Sequence, residues 1–221
     1  ELFGVCDVDK KRAEKIAKSF NVLAFSDYKE LIGKVDAVSI VVPTPLHYTV
    51  AKDFLNSGIH CLVEKPITDN VKQAQELVKI AAKQKRILFV GHIFSYHPVL
   101  AKIKRLTQHE PFKHANFVWN KWGTFNEDLM LNLGCHDIAI ALDLLGTPIK
   151  VEVLENRNIV STSDIVFTRL SFKGGKSATI YINRASNFKN KTVTLVTAKN
   201  VYSWENDKLL KLDKKTNSLK L

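Results

Sequence analysis

A short apolar run that ends in an acid, a base and a proline constrains this chain more than any other stretch. Residues 59–63 read as a buried strand, and Glu64, Lys65 and Pro66 follow at once. In open parallel α/β sheets, ligands bind in the crevice beyond the carboxyl ends of the strands. The stretch therefore predicts either a lysine placed at a ligand site or a solvated ion pair that only ends a strand.

Strand-like and helix-like segments alternate before Gly91. Apolar runs predict strands at 2–7, 22–25, 36–42, 59–63 and 87–90, and amphipathic segments predict helices at 9–20, 47–56 and 70–85. The run at 36–42 is nearly continuous, which is typical of a strand covered on both faces. Such alternation is typical of parallel βαβ units, so it predicts an α/β domain over residues 1–94.

The character of the sequence changes after Gly91. Helices are predicted at 98–106 and 134–145, and strands at 112–120, 150–154, 165–172, 178–183, 192–196 and 201–204. Gly174 and Gly175 predict a hairpin turn between two of these strands. Residues 95–221 are therefore predicted to form a second, α+β domain with an antiparallel sheet.

Composition narrows the classes of function. The chain has 221 residues, 45% hydrophobic and 25% charged, as in ordinary globular domains. Its apolar runs fall far short of the roughly 18 residues that suggest a membrane span. The three cysteines, Cys6, Cys61 and Cys135, lie in separate apolar stretches. An odd number in such positions favours reduced thiols, a cytoplasmic location and no metal site.

The formal net charge of +11 predicts attraction to anions without saying which. Nucleic acid, phosphorylated metabolites and dinucleotides all qualify. The lysines are spread along the predicted helices and a tail at 208–220, with acids between them, which favours solvated faces over a nucleic-acid stripe. We therefore expect a small-molecule partner, and neither nucleic acid nor a membrane.

Asp7 stands at the end of the first predicted strand. An acid after a strand is often only a turn former or a helix cap. In a dinucleotide fold, however, an acid there hydrogen-bonds the ribose hydroxyls and would repel a 2′-phosphate. This favours NAD over NADP, although Lys10, Lys11 and Arg12 nearby could accept a phosphate.

Four segments in order resemble one enzyme family. They are Asp7 after its strand, Val-Pro-Thr-Pro-Leu-His at 42–47, Gly-Ile-His-Cys-Leu-Val-Glu-Lys-Pro at 58–66 and Asn-Leu-Gly-Cys-His-Asp at 132–137. Together they resemble the glucose–fructose oxidoreductase, inositol dehydrogenase and MocA family. The resemblance implies a Rossmann domain, an open-faced antiparallel sheet through which subunits pair as a homo-oligomer, bound NAD or NADP, and a sugar-like substrate.

The resemblance also implies roles for particular residues. Lys65 and His136 would be catalytic. The cofactor would be bound by Asp7, Arg12, Pro43, Thr44, His47, Glu64, Lys65 and Pro66. The substrate would be bound by His92, Asn132 and His136. The expected reaction is hydride transfer from a secondary hydroxyl of a sugar, cyclitol or nucleotide-sugar to the nicotinamide.

The chemistry of these residue types agrees with those roles. Oxidising an alcohol requires a base for the hydroxyl proton, and a histidine such as His136 titrates near neutrality. Lys65 would supply positive charge where alkoxide character develops. Pro66 restricts the residue before it, and the peptide between them could be cis. Asn132 lies four residues before His136 and would share its face if the helix extends that far.

Other features leave alternatives open. The family commonly has Asp where this chain has Asn132, so an inactive regulatory homologue, or an enzyme that uses NAD without net turnover, competes with the dehydrogenase. Members resembling nucleotide-sugar dehydrogenases can carry Asn there. His92 and His97 flank the domain boundary, where structural roles are expected. Trp119 and Trp122 could form a sugar-stacking wall or simply pack in the core.

Two elements that the resemblance implies are missing from the sequence. The resemblance implies a first strand followed by a Gly-x-Gly-x-x-Gly turn, and this element would stand before Glu1. It also implies a further helix after Leu221. We therefore expect the natural chain to extend in both directions. Strands lie about 4.8 Å apart, so a sheet without that strand should contain a gap about twice as wide.

Overall fold

The computed structural model describes residues 1–213 and 218–220. Residues 214–217 and 221, part of the predicted lysine-rich tail, lie outside the described residues. The chain divides into two compact units, Glu1–Gly91 and His92–Leu221. Each unit is built around its own apolar cluster.

The first unit alternates strands and helices as predicted. Its strands are β1 (Gly4–Cys6), β2 (Leu23–Phe25), β3 (Ala37–Ile40), β4 (His60–Val63) and β5 (Leu88–Val90). Its helices are α1 (Lys10–Phe20), α2 (Thr44–Asn56) and α3 (Val71–Gln84), with a 3-10 turn at Tyr28–Leu31. The strand pairs of this unit are parallel throughout. Side-chain caps fix the starts of α1 and α3, where Asp9 and Asn70 accept backbone N–H groups.

The parallel strands form two separate sheets. β1 pairs with β2, and β3, β4 and β5 pair in that order. A cavity of about 1850 Å³ lies between the two sheets, lined by β1 on one side and β3 on the other. The expected gap is therefore present. The expectation that β3 is covered on both faces is wrong, because Ala37 and Ser39 on the side of the gap are exposed.

The second unit is built on one eight-stranded sheet. Its strands are β6 (Phe112–Trp122), β7 (Lys150–Arg157), β8 (Ile165–Ser171), β9 (Ser177–Asn183), β10 (Ala185–Thr197), β11 (Val201–Glu205), β12 (Lys208–Asp213) and β13 (Ser218–Lys220). They lie in the order β13-β12-β11-β10-β6-β9-β8-β7. The pair β6–β9 is parallel and the others are antiparallel, so the sheet is mixed rather than purely antiparallel.

Two helices cover one face of this sheet. They are α4 (Pro98–Leu106) and α5 (Cys135–Leu145), preceded by a 3-10 turn at Ile93–Tyr96 and a π-helical turn at Met130–Gly134 respectively. Leu100 and Ile103 of α4 and Ile140 of α5 are fully buried in the same cluster as Phe117 of β6. Gly174 and Gly175 adopt positive φ in the turn between β8 and β9, as predicted.

The three cysteines are thiols. Within the described residues, no helix is both long enough and apolar enough to cross a bilayer.

Candidate active site

Asp7 follows β1 directly, and both of its carboxylate oxygens are engaged. Oδ1 accepts the backbone N–H of Asp9 at 2.9 Å, and Oδ2 accepts a hydrogen bond from the Arg12 guanidinium at 3.1 Å. Arg12, in the first turn of α1, thereby lies beside the acid predicted to hold the ribose. The two predicted cofactor residues form one cluster at the carboxyl end of the strand.

The segment 43–47 is the start of a helix rather than a loop. Helix α2 begins at Thr44, with Pro43 as its N-cap and Pro45 in its first turn. Proline fits there because the first turn of a helix has no partners for its N–H groups. The other N–H groups of that turn form the positive end of the helix dipole, which favours an anionic group such as a phosphate.

His47 joins α2 to the turn that carries Lys65. Its ring is 2% exposed, with Nε2 at 2.7 Å from the Val42 carbonyl and Nδ1 at 2.8 Å from the Pro66 carbonyl. A neutral imidazole has one N–H and can donate to only one of these oxygens, whereas the doubly protonated ring donates to both. With both nitrogens against backbone carbonyls, the His47 ring links two segments, and its assignment to the cofactor stays a prediction.

Glu64 and Lys65 leave the carboxyl end of β4. The Glu64 carboxylate packs against Gly91 so closely that a β-carbon added to the glycine would lie 3.1 Å from Oε1. Glu64 Oε2 also accepts the backbone N–H of Lys65 at 3.1 Å. The Lys65–Pro66 peptide is cis. The lysine turn is thus held by Glu64 on one side and by His47, through Pro66, on the other.

In the second unit, Asn132 and His136 lie on one continuous helical segment. The π turn at Met130–Gly134 contains Asn132 and runs directly into α5, which begins at Cys135. Short π segments inside helices are frequent at functional sites. The predicted extension of the helix through both residues is therefore present, with a wider turn than expected.

Gly134 makes room for that wider turn. A β-carbon at this position would lie 2.7 Å from Cε of Met130, which folds over the glycine. The sequence marks this glycine, but the methionine four residues earlier gives no local sign of its role.

Two aromatic side chains contact the His136 ring. Phe94 meets it edge-on, with centroids 5.1 Å apart, and Trp119 lies 5.9 Å away. His136 is 6% exposed. Trp119 packs against the histidine and the core of the second unit, as the core-packing interpretation predicts, whereas Trp122 is 64% exposed and packs on Phe125. A sugar-stacking role stays a prediction.

A buried ion pair lies next to His136, and the sequence patterns did not predict it. Asp137 Oδ1 is 2.9 Å from Lys191 Nζ, and the aspartate side chain is 1% exposed. Burial raises the pKa of the Asp137 carboxyl, and the neighbouring ammonium opposes this effect. Burial likewise lowers the pKa of Lys191, opposed by the carboxylate. A buried acid needs a partner of opposite charge. The position of Asp137 on the apolar face of a predicted helix could therefore have indicated such a partner.

The two histidines at the boundary differ in what they do. His97 caps α4 by accepting the backbone N–H of Val99 at 3.2 Å, and its Nε2 lies 3.1 Å from Asp207. This is a structural role, as predicted. His92 is the N-cap residue of the 3-10 turn at Ile93–Tyr96. Its assignment to the substrate stays a prediction.

The residues of the first unit fit a dinucleotide. The Asp7 carboxylate follows β1, where such a fold holds ribose hydroxyls, and the first turn of α2 has N–H groups near the carboxyl end of β3. Within the part of the chain that the structure describes, no group of three His, Cys, Asp or Glu side chains could hold a metal ion.

The first unit has the features of an NAD-binding Rossmann domain: parallel strands, an acid after β1 and a lysine turn after β4. Residues 1–92 match the model of an oxidoreductase family with an NAD-binding Rossmann fold. This match over the first unit agrees with the predicted resemblance to the glucose–fructose oxidoreductase, inositol dehydrogenase and MocA family. The predicted resemblance and the predicted Rossmann fold are confirmed for the first unit, and the matching family is an NAD-binding one.

Individual relatives extend the match beyond the first unit. The chain is 29% identical to UDP-N-acetylglucosamine 3-dehydrogenase of Acidithiobacillus ferrooxidans over 83% of its own length and 60% of that protein. It is 32% identical to the scyllo-inositol 2-dehydrogenase (NADP(+)) IolU of Bacillus subtilis over 48% of its length and 33% of that protein. The chain thus spans less than two thirds of either relative.

A solved structure matches both units. The structure of UDP-N-acetylglucosamine 3-dehydrogenase GnnA from Acidithiobacillus ferrooxidans superposes with a TM-score of 0.91 at 25% identity. The match covers 100% of this chain and 74% of that one.

Proposed function

We propose that the protein is an NAD-dependent dehydrogenase that oxidises a secondary hydroxyl of a sugar. The observation that supports this most directly is the Lys65 turn. A lysine at the carboxyl end of a parallel strand is held between the Glu64 carboxylate and the His47–Pro66 hydrogen bond. Such support for the backbone that carries one basic side chain suits chemistry better than it suits a solvated surface pair.

Within this proposal, His136 accepts the hydroxyl proton and Lys65 stabilises the developing alkoxide. Bound NAD would supply the hydride acceptor. The π turn presents Asn132 on the same helical segment as His136, where its side chain would orient the sugar. Asp7 selects the cofactor by accepting hydrogen bonds from ribose hydroxyls.

The substrate class that we propose is the nucleotide-linked sugars, with UDP-N-acetylglucosamine as the first compound to test. It is the substrate in the name of a relative that aligns with 83% of this chain. The net charge of +11 also suits an anionic diphosphate. Free sugars and cyclitols such as scyllo-inositol form the second part of the panel.

Replacement of the lysine tests the proposal. Lys65→Met should lower kcat by at least about a hundredfold, because it removes a charge that acts on the reacting oxygen. NAD binding by calorimetry should change little. Lys72→Met in α3, outside the site, is the control. Turnover of the panel by Lys65→Met at the wild-type rate would contradict the assignment.

Product analysis separates the alternatives. A dehydrogenase forms NADH and a keto-sugar in equal amounts. Altered sugar without net NADH would favour a reaction in which NAD is recycled. NAD binding without turnover of any panel member would favour the inactive homologue that Asn132 suggested.

A further inference from the structure

Two opposite charges are buried together beside His136. Asp137, the next residue in α5, lies 2.9 Å from Lys191, which reaches it from β10. The side chains are 1% and 17% exposed respectively. A buried ion pair is often no more stabilising than apolar residues of the same volume, because both ions lose their hydration. Stability alone is therefore a weak reason for this pair.

The lysine is also enclosed by two aromatic rings. Its Nζ lies 3.7 Å from the centroid of Trp119 and 3.9 Å from that of Phe94. Both distances are well inside the range of cation–π attraction. Trp119 and Lys191 are direct partners across the β6–β10 ladder, which explains how the ammonium comes to lie on the indole.

The same two rings contact His136. Phe94 meets the imidazole edge-on at 5.1 Å, and Trp119 lies 5.9 Å from it. The cation and the imidazole therefore share both aromatic neighbours. Lys191 is connected to His136 by two routes, through Asp137 along the helix and through the shared rings.

We propose that the Asp137–Lys191 pair positions His136, so that Lys191 is a positioning residue for the reaction without touching the substrate. The cation holds Phe94 and Trp119 in place as the walls of the imidazole. The carboxylate neutralises the cation, so that His136 gains its proton beside a neutral pair rather than beside a bare ammonium. This inference rests on the proposed function for its effect on turnover.

Single and double variants distinguish positioning from plain stabilisation. Lys191→Met and Asp137→Asn each leave one buried charge without its partner, so both should lower the thermal midpoint. The double variant carries no unpaired charge and should regain most of that midpoint. Lys104→Met is the matched control. Lys104 pairs at 2.6 Å with Asp143, which lies in α5 like Asp137 but in a partly exposed position.

The kinetic outcome decides the role. If the pair positions His136, the double variant regains stability but keeps a kcat reduced by about tenfold or more, with KM changed by less than about threefold. Lys104→Met keeps the wild-type kcat. A double variant that regains both the thermal midpoint and kcat would overturn the inference.

A spectroscopic measurement makes the test independent of turnover. The ring protons of His136 lie in the ring-current fields of Phe94 and Trp119, so their NMR shift reports the geometry. The signal is identified by its loss in His136→Gln. It should move in the stable double variant and stay in place in Lys104→Met; an unmoved signal in the double variant would overturn the positioning role. Wild-type protein inactive on the whole panel would instead contradict the proposed function.

Discussion

Both carboxylate oxygens of Asp7 already accept a hydrogen bond from the protein itself. One oxygen accepts the N–H of Asp9 and the other accepts from Arg12. A ribose would have to share or replace these bonds, and a 2′-phosphate would meet the carboxylate. Arg12 is the residue whose reorientation could offset that repulsion.

Asp7→Asn should therefore change cofactor preference. We expect NAD affinity to fall by about tenfold, because hydrogen bonds to a charged acceptor are lost, and NADP affinity to fall less or to rise. Calorimetric Kd values for both cofactors measure the ratio. Glu14→Gln is the control, because Glu14 pairs with Lys10 at 3.9 Å on the exposed side of α1, and it should leave the ratio unchanged. An unchanged ratio in Asp7→Asn would remove Asp7 from the site.

His47 acts on Lys65 through the backbone. His47→Ala leaves the Val42 and Pro66 carbonyls without the donor, at a cost of roughly 1–3 kcal/mol in stability. The lysine turn then loses one of its two supports, and kcat should fall by about tenfold or more. His60→Ala is the comparison, because its Nδ1 accepts the N–H of Ile87 away from the turn. Equal kcat for the two variants would contradict the role of His47.

At the scale of elements, Arg184 holds the segment that leads into the helix of His136. Its guanidinium is 2% exposed and donates to Asp164 at 2.9 Å and to the carbonyls of Thr124 and Glu127 at 2.7 and 2.5 Å. Asp164 also accepts three consecutive backbone N–H groups at 159–161. One arginine thus ties the segment before the π turn to the segment before β8.

Asp164→Asn should destabilise the protein by roughly 3–5 kcal/mol, because it leaves Arg184 as a buried charge without its partner. Chemical denaturation at pH 7 measures this loss. Glu155→Gln is the control, because Glu155 pairs with Arg157 at 2.8 Å on the exposed strand β7. A loss no larger than that of Glu155→Gln would contradict the clamp.

The same carboxylate predicts a pH dependence. Burial by itself would raise the pKa of Asp164, but the bonds from Ser161 and the backbone outweigh it and hold the pKa well below its usual range. A carboxyl whose pKa is lower in the folded state than in the unfolded state stabilises the protein at pH values above the unfolded pKa of about 3.9. This stabilisation is lost as the pH falls from there towards the folded pKa. The difference in stability between wild type and Asp164→Asn should therefore shrink from pH 5 towards pH 3.

The sequence predicted the elements better than the contacts between them. Periodicity and caps located the strands and helices of the first unit, because those signals are local. The Pro-Thr-Pro at 43–45 is typical of a stop, yet the prolines suit the first turn of α2. The parallel pairing of β6 with β9, and the approach of Lys191 to Asp137, join residues distant in sequence that no local pattern connects.

At the scale of the whole molecule, one face of the eight-stranded sheet is where the predicted pairing with a second copy of the chain would take place. On β8 and β9 the residues that alternate with the buried ones are half-buried or exposed, among them Phe167 and Tyr181, whose rings lie 6.2 Å apart. The helices α4 and α5 cover the other face. We therefore retain the prediction of a homo-oligomer formed through this sheet.

Phe167→Glu combined with Tyr181→Glu should dissociate that oligomer, because the charges would have to be buried in the interface. Sedimentation velocity over a range of concentrations measures the state. Val78→Glu, at an exposed position of α3, is the control. A wild-type protein that stays monomeric at high concentration would contradict the predicted homo-oligomer.

The position of Trp119 also allows changes near His136 to be followed by the intrinsic tryptophan fluorescence of the protein. Lys191 lies 3.7 Å from its centroid and His136 5.9 Å, so two titratable groups act on the electric field at one chromophore. Trp122 is exposed and open to a collisional quencher such as iodide, whereas Trp204 is 4% exposed. With the exposed emission quenched, the remaining light comes from Trp119 and Trp204, and in a Trp204→Phe variant its wavelength reports changes around His136 without a label.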